Sequence, residues 1–443
     1  MHMNVAILRP RSWPLPAIIV ALATLSATMP VRAEPSHAGD RADPVGAVYV
    51  ASNEYSGNAI LVFDRYADGS LAPVGTGVPT GGRGSGPGLL LPDDPIGSQG
   101  SLIVDQQNRL LFAVNAGSDD VSVFAIDPEG LTLVDRQPSG GGFPVSLTLD
   151  HETLYVLNAV GNSVAGFGVD EGGHLTHHET CGLPALPAGA DPILPGDATH
   201  SPQPVVVQTA GQVGFSPDGR KLVVVSKEGP LLEGFPFGAT LGSGRIHVYD
   251  VDAREGTLVN CGNPKPTVLP SNGDGKGKFP FDFAWSQQGD LLLTEIFGVS
   301  TSLTGSAVSS FALGRDASLT PISTSVGNGQ PAVCWIVRSG KNVFTPNFLG
   351  NNISSYEVTS KGLLTLTAAE AVRIDVGPAP GQSPIDVAIT ADGRFLYQLA
   401  TGSAQVWPIA VSSSGALTAL TPVADGRPPH SGQAGIATVD FEE

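Results

Sequence analysis

Seven copies of one short phrase punctuate this 443-residue chain: an aromatic-centred strand, a polar turn, then a leucine opening the next strand. They run from Phe63 to Leu71, Phe124 to Leu131, Phe167 to Leu175, Tyr249 to Leu258, Phe311 to Leu319, Tyr356 to Leu364 and Trp407 to Leu417. Six of the seven place a glycine just before the leucine, and the fifth uses Ala317-Ser318. Tight hairpins need a residue that tolerates positive φ, which glycine does at no steric cost. The nearest copies stand 43 and 45 residues apart, Phe124 to Phe167 and Phe311 to Tyr356. A repeat of that length is the signature of a four-stranded propeller blade. An internal repeat this regular restricts the architecture more than any other feature of the chain.

Upstream of each phrase the sequence supplies the other strands. Leu111-Phe112-Ala113-Val114-Asn115, Leu154-Tyr155-Val156-Leu157-Asn158 and Val343-Phe344-Thr345-Pro346-Asn347 are apolar runs ending in asparagine, nine residues before the aromatic. Earlier still come a strand and a turn, as in Val213-Gly214-Phe215-Ser216 before Pro217-Asp218-Gly219. Proline presets φ there and glycine takes the left-handed position. The first phrase lacks an innermost strand, whereas the chain ends with a spare one, Ala434 to Phe441. The expected fold is therefore all-β: a seven-bladed propeller of four-stranded blades, closed by pairing the C-terminal strand with the first blade. Two packed β-sandwiches are the structural rival, but they leave the matched register of seven copies unexplained.

The N-terminus reads differently. Arg9 and Arg11 precede an apolar run from Leu15 to Met29, and Val31-Arg32-Ala33 is a small-x-small cleavage site. This is the pattern of a secretory signal peptide, too short for a comfortable membrane span. The expected organisation is a signal peptide over 1–33, a disordered leader over 34–44 and one propeller over 45–443, secreted or periplasmic. Removing the first segment takes away three arginines and no acids, so the net charge moves from −18 to −21. A surface this acidic disfavours nucleic acid, whose binding needs Lys and Arg on phosphates. Of three cysteines, Cys181 and Cys261 occupy similar settings after consecutive blades, and a disulfide between them is one option. Cys334 reads as a buried thiol.

In a propeller, the loops from second to third strand and from one blade to the next share a face. The long insertions fall on those loops: 77–98, 182–204, 228–244, 262–279 and 296–306. Long loops on a rigid scaffold are where binding groups concentrate. Residues ending the second strands, Asn53, Asn115, Asn158, Lys227, Glu295 and Asn347, are expected to ring that face. Lys227 beside Glu295 or Glu228 has the chemistry to polarise a carbonyl while a carboxylate moves a proton. The same lysine and Glu295 also fit a structural ion pair between blades. His200 and His430 are the histidines expected on this face. Neither 191–197 nor Asn272-Gly273-Asp274 has the spacing of a calcium loop, and Lys276 and Lys278 lack the strand-loop-helix context of a phosphate loop. No metal or cofactor is expected, and the partner is a small molecule or protein at the looped face of a monomer.

Phe215-Ser216-Pro217-Asp218-Gly219, Leu154-Tyr155-Val156-Leu157-Asn158 and Val121-Ser122-Val123-Phe124 with its turn resemble the blades of the seven-bladed β-propeller lactonase family, over about 45–441. That family includes bacterial 6-phosphogluconolactonases and fungal carboxymuconate-lactonising enzymes. The resemblance implies a lactonase, a hydrolase of a lactone or related cyclic acid acting at the central channel, and the leader sequence makes it an exported one. The alternative is a non-catalytic propeller that binds a ligand or protein with its long loops. Glu295 falls where the family often has a glutamate. Gln212 stands where the family's blade carries histidine, and the next blade offers Pro280-Phe281-Asp282. The catalytic candidates are thus Lys227, Glu228 and Glu295. The substrate-binding candidates are Asn53, Asn115, Asn158, Gln212, Asp282, Asn347, His200 and His430.

Overall fold

A computed structural model describes residues 42–441, apart from 128, 184–192, 228–243, 253, 276, 301, 303, 375–380 and 382. Seven antiparallel sheets of four principal strands form the blades. The second blade is typical: Leu102–Asp105 is innermost, followed outward by Leu110–Asn115, Asp120–Asp127 and Gly130–Pro138. Blade 1 is built from both ends of the chain. Ile436–Asp440 forms its innermost strand, pairing Gly46 with Asp440 through Val50 with Ile436. The expected closure is therefore present, and Arg65 fastens it by an ion pair to Asp440.

Burial follows from stacking. The second strand Leu110–Asn115 is buried at every residue, being covered on both faces by neighbouring blades. The outermost strand Leu364–Arg373 is mostly half-buried or exposed. All seven aromatic anchors of the repeated phrase are at most 5% exposed. The six phrase glycines take positive φ, from 64° at Gly256 to 134° at Gly130. In the fifth copy Ala317 holds the same left-handed position at 62°. The hairpin geometry is thus imposed by the blade even where glycine is absent.

The asparagines that end second strands latch the blade. Asn115 Nδ2 donates to Asp120 Oδ1 at 2.6 Å and Ser122 Oγ at 2.8 Å. Asn347 repeats this with Asn352 at 2.7 Å and Ser354 at 2.8 Å. Cys181 and Cys261 form a disulfide across 80 residues of sequence, joining the outer edges of blades 3 and 4. No helix among the described residues is long and apolar enough to cross a membrane.

Candidate active site

In blades 3, 4, 5 and 7 the innermost strand slips against the second at equivalent depth. The slips lie between Pro144 and Ser146, Ala210 and Gln212, Pro280 and Phe283, and Pro384 and Val387. Such bulges re-aim side chains out of the ladder. Ser146, Gln212, Asp282 and Asp386 stand at the four slips. The first two tie their blade to the next: Ser146 Oγ accepts from the Val213 N–H at 3.2 Å, and Gln212 Oε1 from the Phe283 N–H at 2.6 Å. Asp386 reaches the Ile436 backbone of blade 1 in the same sense, whereas Asp282 meets the Gln99 backbone of the blade 1 to blade 2 connection. Asp282 and Asp386 are 0% and 3% exposed, and the donors that reach them are backbone N–H groups, Gln99 for Asp282 and Val387, Ile436 and Gly100 for Asp386.

The connection from blade 1 to blade 2 crosses the centre of the ring as a strap, Asp94–Ser101. Ser98 Oγ donates to the Val145 carbonyl at 2.5 Å, and the Gly100 carbonyl accepts from the Leu147 N–H at 2.8 Å, both in blade 3. On the opposite side, Trp335 Nε1 donates to the Ser98 carbonyl at 2.9 Å. The Gln99 amide exchanges two hydrogen bonds of 3.0 Å with the Ile336 backbone. Blades 3 and 6 therefore hold the strap at its two edges. Asp94, at its start, accepts from the Gly97 N–H at 2.9 Å.

Lys227 completes the arrangement. It follows the second strand of blade 4, Lys221–Ser226, and its Nζ donates to the Gly97 carbonyl and lies 5.1 Å from the centre of the Phe281 ring. Gly97 leaves no room to spare. Its φ is +57°, and a Cβ there would sit 3.0 Å from Val206 and 3.1 Å from Lys227 Nζ.

Three carboxyl groups and one amine thus share a buried centre, with the Cys334 thiol beside them. Burial raises Asp94 to about 6, against the opposing pull of Lys227. Burial likewise raises Asp386 to about 7. Asp282 is pushed well above the carboxylate range by burial and then by the charge of Asp386. Burial lowers Lys227 to about 8, while Asp94 and Asp282 act to raise it. A lysine with depressed affinity for its proton and a carboxylate poised near neutrality are the groups that acid–base chemistry at pH 7 requires.

The structure parts two residues that the sequence analysis joined. Glu295 is not beside Lys227 in an ion pair; it pairs with Lys278 at 3.3 Å and accepts from Ser309 at 3.0 Å and Ser325 at 2.7 Å. The physical reason is strand parity. Glu295 is paired with Ala307, the place Asn115 and Asn347 hold in their blades, whereas in blade 4 that place belongs to Ser226, opposite Arg245. Lys227 is one residue further along, so its side chain leaves on the other side. Asn115 and Asn347 are committed to their latches. Asn53 donates to Ser85 and to the Gly432 carbonyl, both at 2.9 Å, and Asn158 to the Ser139 carbonyl at 3.1 Å. These four are at most 4% exposed and do not ring an open face. Gln212 is engaged between blades. His200 meets Asp197 at 2.8 Å and His430 meets Asp93 at 2.7 Å, each in a loop pair. Glu228 and Lys276 lie outside the described residues.

Of the site residues named from sequence, Lys227 and Asp282 come together at the centre. Asp94 and Asp386 were missed. Asp386 had a legible signal, because Pro384-Ile385-Asp386 opens its strand as Pro280-Phe281-Asp282 does. Asp94 had none, since its loop has no periodicity. A cleft of about 820 Å³ opens on the opposite, short-turned face, lined by Asp150, His151, Asp170, His178 and Arg254 among others. Among the described residues one trio of metal-ligating side chains meets, Glu179 with Cys181 and Cys261, and its two sulfurs are joined to each other.

Residues 43–296 match the family model described as lactonase, seven-bladed β-propeller. No protein of curated function matches the sequence. Among solved structures, a Bacteroides fragilis protein proposed to be a 6-phosphogluconolactonase superposes with a TM-score of 0.61 at 19% identity, covering 90% of this chain and 100% of its own. The periplasmic gluconolactonase of Pseudomonas aeruginosa gives 0.61 at 19%, covering 89% and 99%. A protein from Lactobacillus plantarum gives 0.59 at 16%, covering 89% and 99%. At such identities the likeness is one of fold.

Proposed function

The chain belongs to the seven-bladed β-propeller lactonase family, and we propose that it is an exported hydrolase that opens a lactone ring at the axial Asp94–Lys227–Asp282–Asp386 cluster. One observation carries the reading: Asp94 and Asp282 flank one buried lysine, Lys227, and Asp386 lies beside those two carboxylates. Burying ionisable groups is costly, so a cluster of them at one centre invites a functional account.

In the proposed reaction Lys227 donates to the carbonyl oxygen of the lactone and stabilises the charge that develops there. Asp386 takes a proton from water as the water oxygen bonds to the carbonyl carbon. The ring C–O bond then breaks, and the departing oxygen receives a proton from Asp282, the carboxyl held protonated by its surroundings. Glu228, next to Lys227 in sequence, is the alternative base. Glu295 keeps a structural place with Lys278. The strap must withdraw for a substrate to enter.

Export rests on the leader sequence over 1–33, on the Cys181–Cys261 disulfide, a bond of oxidising compartments, and on the periplasmic origin of one structural neighbour. The remaining expectations, a monomer with a small-molecule partner and no nucleic acid, accompany it as part of the same proposal. The complete burial of the cluster favours a second reading, a binding propeller whose axial groups hold the fold or a ligand without turnover.

Proton release by the mature chain with glucono-δ-lactone tests the first reading. Lys227→Met is expected to lower kcat by about 10²- to 10³-fold, the usual cost of losing one oxyanion donor. Turnover that survives in this variant removes the axial site, and a wild-type chain inert to lactones leaves the binding reading.

A further inference from the structure

We infer that the axial site accepts an uncharged lactone and rejects phosphorylated or carboxylated ones; this rests on the lactonase reading above and adds a substrate class to it. Phosphate and carboxylate recognition needs a concentration of positive charge: a bidentate arginine, several lysines or a helix N-terminus. The centre of this propeller holds the opposite. Among the described residues the cation that Asp94 and Asp282 face, with Asp386 beside them, is Lys227, whose Nζ already donates to the Gly97 carbonyl. Their surroundings are otherwise neutral: the rings of Phe281 and Trp335, the Cys334 thiol and the Gln99 amide.

Three described cations of the loops at this end of the propeller are engaged elsewhere. Lys278 is paired with buried Glu295, Arg427 with Glu54 at 3.4 Å, and Arg83 lies over the Tyr55 ring at 5.7 Å. Recruiting any of them would break an existing contact. The described residues hold one short helical turn, Val206–Gln208, and it offers no extended helix end to an anion. An incoming anion would therefore be desolvated beside carboxylates with nothing to neutralise it, or would have to bring protons onto them. Hydroxyl groups of an uncharged sugar lactone suit the site instead. Protonated Asp282 can donate and ionised Asp386 can accept, the pair of roles that hydroxyl groups complement.

The test compares kcat/KM of the mature chain for glucono-δ-lactone and for its 6-phosphate at one pH and ionic strength. The uncharged lactone is expected to win by about tenfold or more, the size of one uncompensated like charge roughly 10 Å away at an effective dielectric near 20. Equal or faster turnover of the phosphate overturns the inference. Because the lactonase reading has its own failure, binding is measured beside turnover, using gluconolactam and its 6-phosphate in calorimetry. Preferential binding of the neutral lactam supports the substrate class even if no lactone is opened. Tighter binding of the phosphate, or no binding of either lactam, overturns it.

Discussion

Asp386 shows what burial does to a single carboxyl group. Desolvation raises it to about 7, against the help of the Val387 N–H. The folded protein therefore holds this proton more tightly than the unfolded chain, which releases it near pH 4. Its contribution to stability is fully present below that value and is lost as the pH rises through about 7. His247 works in the opposite sense: burial pulls it to about 4, so its contribution grows as the pH rises from there towards the ordinary histidine value. The wild-type pH profile mixes the two, but a variant separates them. Asp386→Asn is expected to unfold at higher denaturant than wild type, by a margin that grows between pH 4 and 7 to about 2–4 kcal/mol and then levels. A margin that does not change with pH would show that Asp386 does not carry the raised affinity.

At the scale of elements, the strap Asp94–Ser101 decides whether the centre is a channel or a core. It has no regular secondary structure of its own and is held by side chains and backbone of blades 3 and 6. Gln99 contributes most to the blade 6 side, because its amide serves the Ile336 backbone as a neighbouring strand would. Gln99→Ala removes both partners of that backbone at once. The expected cost is about 1–3 kcal/mol, read as faster hydrogen exchange at the Ile336 amide. If withdrawal of the strap admits substrate, the same variant turns over lactone severalfold faster. Unaltered exchange at Ile336 would mean the strap is held from elsewhere.

Across the whole molecule, stability depends on closing the ring. Blade 1 takes its innermost strand from the far end of the chain, and the Gln106 side chain reaches from blade 2 to the Asp440 carbonyl at 2.6 Å. Removing the last nine residues, 435–443, would leave Gly46–Ala51 as an unpaired apolar edge. Such a truncation is expected to lose the single cooperative unfolding transition and to aggregate, as near-UV circular dichroism and light scattering would report. A truncated chain that unfolds like the full one would mean that the closing strand is dispensable.

Architecture was legible because it is written locally and seven times over. A strand, a turn with a left-handed residue and a leucine each constrain only near neighbours, and repetition turns these weak signals into a blade count and a closure. The asparagine latches were equally visible as strand-ending residues, but their role was not. Whether Asn115 faces a channel or its own hairpin depends on which atoms are within 3 Å, and Asp120 and Ser122 supply them. The same holds for charge. Lys227 and Glu295 read as a pair along the chain, but a one-residue difference in strand parity sends one to the centre and the other to Lys278. Asp94 reached the site through a loop whose path no periodicity encodes. Repetition in the sequence determined the fold, because each blade is a local decision. Only the tertiary structure decided the site, because burial and the meeting of charges from four separate segments are properties of the closed ring.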